Sequence, residues 1–135
     1  MDAIAKGLFT PDNPPRLIGG RDRETGRIVF PCPASDRFEP VPLSSTGTLW
    51  SYTIQRFRPK SPPYAGPEAF EPFALGYVEL PGQTIVEARL TGVDFGAIEI
   101  GMDLEFEPAP FEKADGESVL IPAFRPAAAA SRKAA

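Results

Sequence analysis

Cys32 is the single thiol of this 135-residue chain, and the chain has no histidine. A thiolate nucleophile needs a base or positive surroundings to lower its pKa. The usual Cys–His pair is therefore ruled out, and Cys32, set between Pro31 and Pro33, reads as an inert packing residue. The lack of imidazole also weakens every hydrolase reading, because acid–base work near neutral pH most often uses it. Carboxylates remain, and the run Glu99, Asp103, Glu105, Glu107 could supply a pair. Yet Asp103, Glu105 and Glu107 alternate with Leu104 and Phe106, the pattern of a solvated strand face backed by a buried one. No catalytic residue, cofactor or metal ligand set is assigned.

Binding chemistry has better candidates. Arg56, Arg58 and Lys60 fall at the end of a strand-like segment, where they could hold the phosphates of a nucleotide-bearing ligand or an acidic partner through charge-assisted hydrogen bonds. The plainer alternative is a solvated strand end. Trp50, Tyr52 and Phe57 could stack on bases. Period-two alternation instead puts Trp50 and Tyr52 on one face with Ile54, and Leu49, Thr53 and Phe57 on the other, which favours core packing or a partner interface. The proline-stiffened run SPPYAGPEAFEPF carries Tyr64, Phe70 and Phe73. These aromatics suit a protein contact; alternatively, Phe70 and Phe73 cap the fold.

Charge narrows the partner. Residues 1–66 hold nine Lys/Arg against six acids, whereas residues 67–126 hold twelve acids against Arg89, Lys113 and Arg125. The halves are thus +3 and −9. An acidic half is a poor surface for nucleic acid, whose binding depends on neutralising phosphates, so nucleic acid is disfavoured. One cysteine excludes an intramolecular disulfide. No apolar run reaches the ~20 residues of a membrane helix, and no signal peptide is readable. A soluble cytoplasmic protein without membrane contact is expected.

The elements that must position these residues are strands. Fourteen of the seventeen prolines cluster at 11–15, 31–42, 59–72 and 108–110, marking connections rather than central strands. Between them, strands are expected over 47–58, 73–80 and 84–91, from 103 to 106, and over 118–125, with turns at Pro81-Gly82 and Asp115-Gly116. Residues 97–101 fit a short turn or helix, and residues 2–7 fit one helical turn. Five strands in roughly 80 residues, with a long connection over 59–72, suggest an all-β, closed antiparallel barrel of OB type rather than a sandwich. Ahead of it, residues 17–43 are laid out like a rubredoxin-like zinc-ribbon hairpin lacking zinc ligands, since one thiol cannot replace the four ligands of a structural site. Packing of Leu17, Ile18, Ile28, Val29 and Phe30 would have to hold it. The expected organisation is an N-terminal extension (1–16), the hairpin (17–43), the barrel (44–126) and a disordered tail (127–135).

Several short motifs, in their order and spacing, resemble those of the zinc-ribbon/OB-fold, acyl-CoA-associated proteins of domain-of-unknown-function family 35. They are Gly47-Thr48-Leu49-Trp50-Ser51-Tyr52-Thr53, Pro72-Phe73 with Gly76-Tyr77-Val78-Glu79-Leu80, Ile100-Gly101-Met102, and Ala123-Phe124-Arg125-Pro126. The likeness covers about residues 15–126. In the hairpin, Gly20-Arg21-Asp22-Arg23-Glu24-Thr25-Gly26 resembles the family's first knuckle, with Asp22 and Thr25 where cysteines usually stand. Phe30-Pro31 is similar to the segment that follows, the second knuckle is shortened, and Cys32 lies in no CxxC. The resemblance implies a non-catalytic accessory subunit docking on a thiolase-fold enzyme, or on a hydratase or aldolase acting on CoA thioesters. Arg21, Arg23 and Arg27 would be docking candidates on the ribbon. Arg56, Arg58, Lys60, Tyr64 and Phe70 would be candidates for CoA or partner contact. The alternatives are a stand-alone acyl-CoA-binding module and, less favoured, a single-stranded nucleic-acid binder.

Overall fold

The structure, a computed structural model, describes residues 3–4, 7–11, 14–56 and 72–127. Three strands come first: β1 (Ile18–Asp22), β2 (Ile28–Val29) and β3 (Phe38–Pro42) form an antiparallel sheet in the order β2-β1-β3. The expected hairpin is there, with Gly26 at φ +76° closing the turn between β1 and β2. It gains a third strand that the proline spacing had marked as a connection. Pro40 and Pro42 stand two apart, so their donor-less nitrogens turn to one side, which an edge strand tolerates.

The barrel is built from β4 (Thr46–Gln55), β5 (Phe73–Glu79), β6 (Ile85–Leu90), β7 (Asp103–Phe106) and β10 (Ala123–Pro126), closed in the order β10-β6-β5-β4-β7. It is not wholly antiparallel: β10 runs parallel to β6 and antiparallel to β7. A closed ring with an odd number of strands cannot alternate direction throughout, so one parallel pair is required. The expected last strand is also divided. β8 (Ala109–Glu112) and β9 (Ser118–Ile121) make a separate hairpin, and Pro122, with no N–H to donate, marks where the chain leaves it for the barrel. Phe95–Ala97 form a 3-10 turn, slightly ahead of the expected position. Residues 2–7 fall partly outside the described residues; Ala3 bridges Leu120 instead of starting a helix.

One apolar cluster runs through both sheets. Leu17 and Leu43 from the ribbon region join Leu49, Val78, Leu80, Val86, Leu104 and Phe124. Phe124 is fully buried and meets Phe106 edge-on at 5.4 Å between ring centres, and Phe9 from the N-terminal segment packs on Phe106 at 5.8 Å. Of the residues expected to hold the ribbon, Leu17 is fully buried, Ile28 and Phe30 pack against the cluster, and Ile18 and Val29 are half-buried. The ribbon sheet therefore shares its apolar support with the barrel.

The register of β4 overturns one expectation. A bulge between Leu49 and Ser51 leaves Trp50 without a partner on β5. An extra residue in one strand shifts side-chain alternation by one. Gly47 and Leu49 face inward before the bulge, and Tyr52 and Ile54 pack inward after it. Trp50 does not share their face: it is 59% exposed. Leu49 is buried while Thr53 is exposed, so that pair is separated too, and Phe57 lies outside the described residues.

Candidate functional site

Asp22 ends β1 and is the only buried charged residue among those described. Its Oδ1 accepts the backbone N–H of Glu24 at 2.9 Å and of Thr25 at 3.4 Å, which closes the turn. From fifteen residues on, the Arg37 guanidinium donates to both carboxylate oxygens, with Nη2 2.9 Å from Oδ2. A bidentate guanidinium is the strongest partner a carboxylate finds in a protein. It holds the Asp22 carboxyl far below the usual carboxylate range, helped by the two backbone donors and opposed by desolvation. The same contact raises Arg37 further. The pair thus ties the β1–β2 turn to the loop before β3.

A zinc ion does not fit this corner. Asp22 is fully engaged by nitrogen donors, and Thr25 contributes its hydroxyl to the Arg27 N–H. Cys32 donates weakly to the Pro33 carbonyl, 3.6 Å away. Among the described residues no three His, Cys, Asp or Glu side chains come together as a metal site. Cys32 instead packs on Gly20, where a Cβ would stand 3.0 Å from its sulfur and 2.9 Å from Pro33 Cδ. Gly20 is therefore required by close approach, and the thiol acts as filler.

The ribbon arginines separate into two kinds. All three are exposed, but Arg23 is also tied to the Asp36 carbonyl at 2.9 Å and to Glu39 at 3.5 Å. Arg21, Asp22, Arg23, Gly26 and Glu39 line an open cleft of about 320 Å³. Two arginines against two carboxylates leave it near neutral, which suits a protein contact better than a phosphate. On the barrel, exposed Arg56 places its guanidinium 5.9 Å from the Phe95 ring centre. Arg58, Lys60, Tyr64 and Phe70 lie outside the described residues. The carboxylate run makes no acid–base pair in a cleft: Glu105 and Glu107 both bind Arg125, at 2.8 and 3.4 Å.

Sequence reasoning missed Arg37, whose role depends on how a turn folds back over fifteen residues. It also missed the apolar neighbourhood of Trp50. The backbone of Leu49 bonds to Gly101 and Met102, so the segment carrying Ile100 runs alongside the bulge. Ile100 is 67% exposed. No periodic signal reports a bulge.

A closed five-stranded mixed barrel preceded by a small three-stranded sheet defines an OB-fold protein. Residues 40–107 match the family model described as the ChsH2 C-terminal OB-fold domain. A DUF35 domain-containing scaffold protein of Pyrococcus furiosus is 32% identical over 112 residues, covering 78% of each chain. The solved structure described as Ltp2-ChsH2(DUF35) aldolase superposes with a TM-score of 0.59 at 30% identity, covering 82% of this chain and 84% of that one. The chain belongs to the DUF35 OB-fold family.

Proposed function

We propose that this chain is a non-catalytic accessory subunit that docks on an enzyme acting on acyl-CoA substrates, of thiolase fold or a related hydratase or aldolase. The likeness to a ChsH2 DUF35 chain in a structure named as an aldolase assembly, extending over four-fifths of both chains, carries this reading. The relative named as a scaffold protein points the same way. The site adds a physical argument. Asp22, Glu105 and Glu107 are held by arginines, and Cys32 has no histidine to activate it. Contact is assigned to Arg21, Arg23 and Arg27 on the ribbon, and to Arg56 with the segment carrying Arg58, Lys60, Tyr64 and Phe70.

Coexpression with thiolase-fold, hydratase and aldolase subunits tests the reading. A stable stoichiometric complex, in which the partner gains activity or solubility, is expected. Full activity of every candidate alone, with no complex formed, overturns it. A stand-alone acyl-CoA-binding module is the second reading, favoured by the Arg56 guanidinium beside the Phe95 ring, a pairing able to take a phosphate and a base together. Calorimetry separates the two. Binding of CoA by the isolated chain, weakened in Arg56→Ala, supports the second; silence with all acyl-CoAs leaves the first.

A further inference from the structure

Among the described residues of the barrel region, four large apolar side chains reach solvent: Trp50, Ile85, Phe95 and Ile100. Single exposed hydrophobics are ordinary, but clustered ones mark contact surfaces. Three of these lie on adjoining elements: β4, β6 and the segment that flanks β4. Trp50 stands out at the β4 bulge, and Ile100 lies on the segment bonded beside it through Leu49. Ile85 pairs with Glu79, which pairs in turn with Thr48, two residues from Trp50. Tyr77, opposite Ser51, adds a ring whose hydroxyl is bonded to Glu87. That bond and the nearby carboxylate charge raise the phenol above its ordinary value.

Among the described residues of β4–β6 and of the segment after β6, acids outnumber cations, and Arg89 is the one cation within these strands. Residues 44–55, 74–88 and 91–103 contain Glu79, Glu87, Asp94, Glu99 and Asp103 and not one Lys or Arg. All five acids are exposed. Among the described residues, Arg89, further along β6, is stacked on Phe73 at 3.7 Å. An aromatic anchor within an acidic rim repels phosphate chains and a second copy of the same rim, while it attracts a basic surface.

We propose that the outer face of β4–β6, anchored by Trp50 with Ile85 and Ile100, seats in a Lys/Arg-rimmed apolar pocket of the partner enzyme subunit. This assignment rests on the accessory-subunit reading and adds a surface that the ribbon and Arg56 candidates do not include. Buried Trp anchors are among the side chains that dominate interface energetics, and rim charges chiefly set association rate.

Trp50 is the only tryptophan in the chain, so 5-fluorotryptophan incorporation gives one fluorine signal at the proposed anchor. The full-length labelled chain is titrated with the unlabelled thiolase-fold, hydratase or aldolase subunit that copurifies with it. The fluorine resonance is expected to shift on binding. Trp50→Ala is expected to weaken the complex about thirtyfold or more while leaving the melting midpoint of the isolated chain in place. Glu79→Lys with Glu87→Lys is expected to slow association and reverse its salt dependence. A complex that forms with the resonance unmoved and Trp50→Ala binding at full strength overturns the surface and leaves the subunit reading standing. Failure of every candidate to bind overturns both. A concentration-dependent shift in the isolated chain, lost in Trp50→Ala, makes the face a contact between copies and overturns the proposal. Salt-sensitive displacement of the resonance by oligonucleotides does so too.

Discussion

The ribbon sheet and the barrel solve the same problem of holding short strands together by different physics. The barrel closes on itself, so its backbone ladders leave no open edge along the ring, and its interior is filled by Leu, Val and Phe side chains. The ribbon sheet has only five, two and five residues in its strands. It has two edges, and its turns are fixed by Asp22 and Arg37 rather than by bulk. What joins the two is the apolar cluster that takes in Leu17 and Leu43. Removing apolar volume should therefore damage both regions, while removing the charge pair should damage one.

Phe124→Ala should have the largest effect. The ring is fully buried on the strand that closes the barrel between β6 and β7, and truncating a buried Phe costs about 3–5 kcal/mol. Urea unfolding should show both regions losing structure together at a much lower midpoint. A ribbon that stayed protected while the barrel opened would break the shared-core account.

Asp22→Ala should come next and be local. It strips acceptors from the Glu24 and Thr25 amides and leaves the Arg37 guanidinium without its carboxylate. Amide exchange should accelerate in residues 22–27 and 35–38 and remain slow in β4–β6. Acid should mimic it. Asp22 binds fewer protons folded than unfolded, so its contribution is whole above the unfolded carboxylate value of about 4 and drains away as pH falls below it. The folded value lies far lower, so the loss continues well into strong acid. Protection factors in the wild-type ribbon should fall between about pH 5 and pH 2 more than in Asp22→Ala; an equal fall in both would remove Asp22 as the cause.

The same contrast explains what could be read from sequence. Alternation over 73–80 and 84–91 and the proline clusters led directly to barrel strands, because burial on one face imposes period two. The β4 bulge defeated that logic at Trp50, since one inserted residue swaps inside for outside without changing composition. Pro122 was visible, but its consequence, a strand divided between two sheets, depended on ring closure. In the ribbon, Asp22 was visible as a residue standing where a cysteine ligand usually stands. Its partner Arg37 was not, because a long-range ion pair leaves no periodic trace. Arg56 was placed at a strand end, and Phe95, which stands near it, comes from a distant loop.

The smallest effect is expected where a metal site would have given the largest. If the ribbon depended on zinc, chelation would unfold it, because a structural site contributes binding free energy directly to folding. Here Cys32 packs on Gly20, and Asp22 is satisfied by Arg37 and two amides. Cys32→Ser should change the unfolding free energy by less than about 1 kcal/mol, and excess chelator should leave amide exchange across 18–42 unaltered. Metal analysis of the purified protein should find far less than one zinc per chain. Stoichiometric zinc, or exchange that rises with chelator in the wild type and is already high in Cys32→Ser, would show that the ribbon is metal-bound and that the Asp22–Arg37 pair only decorates it.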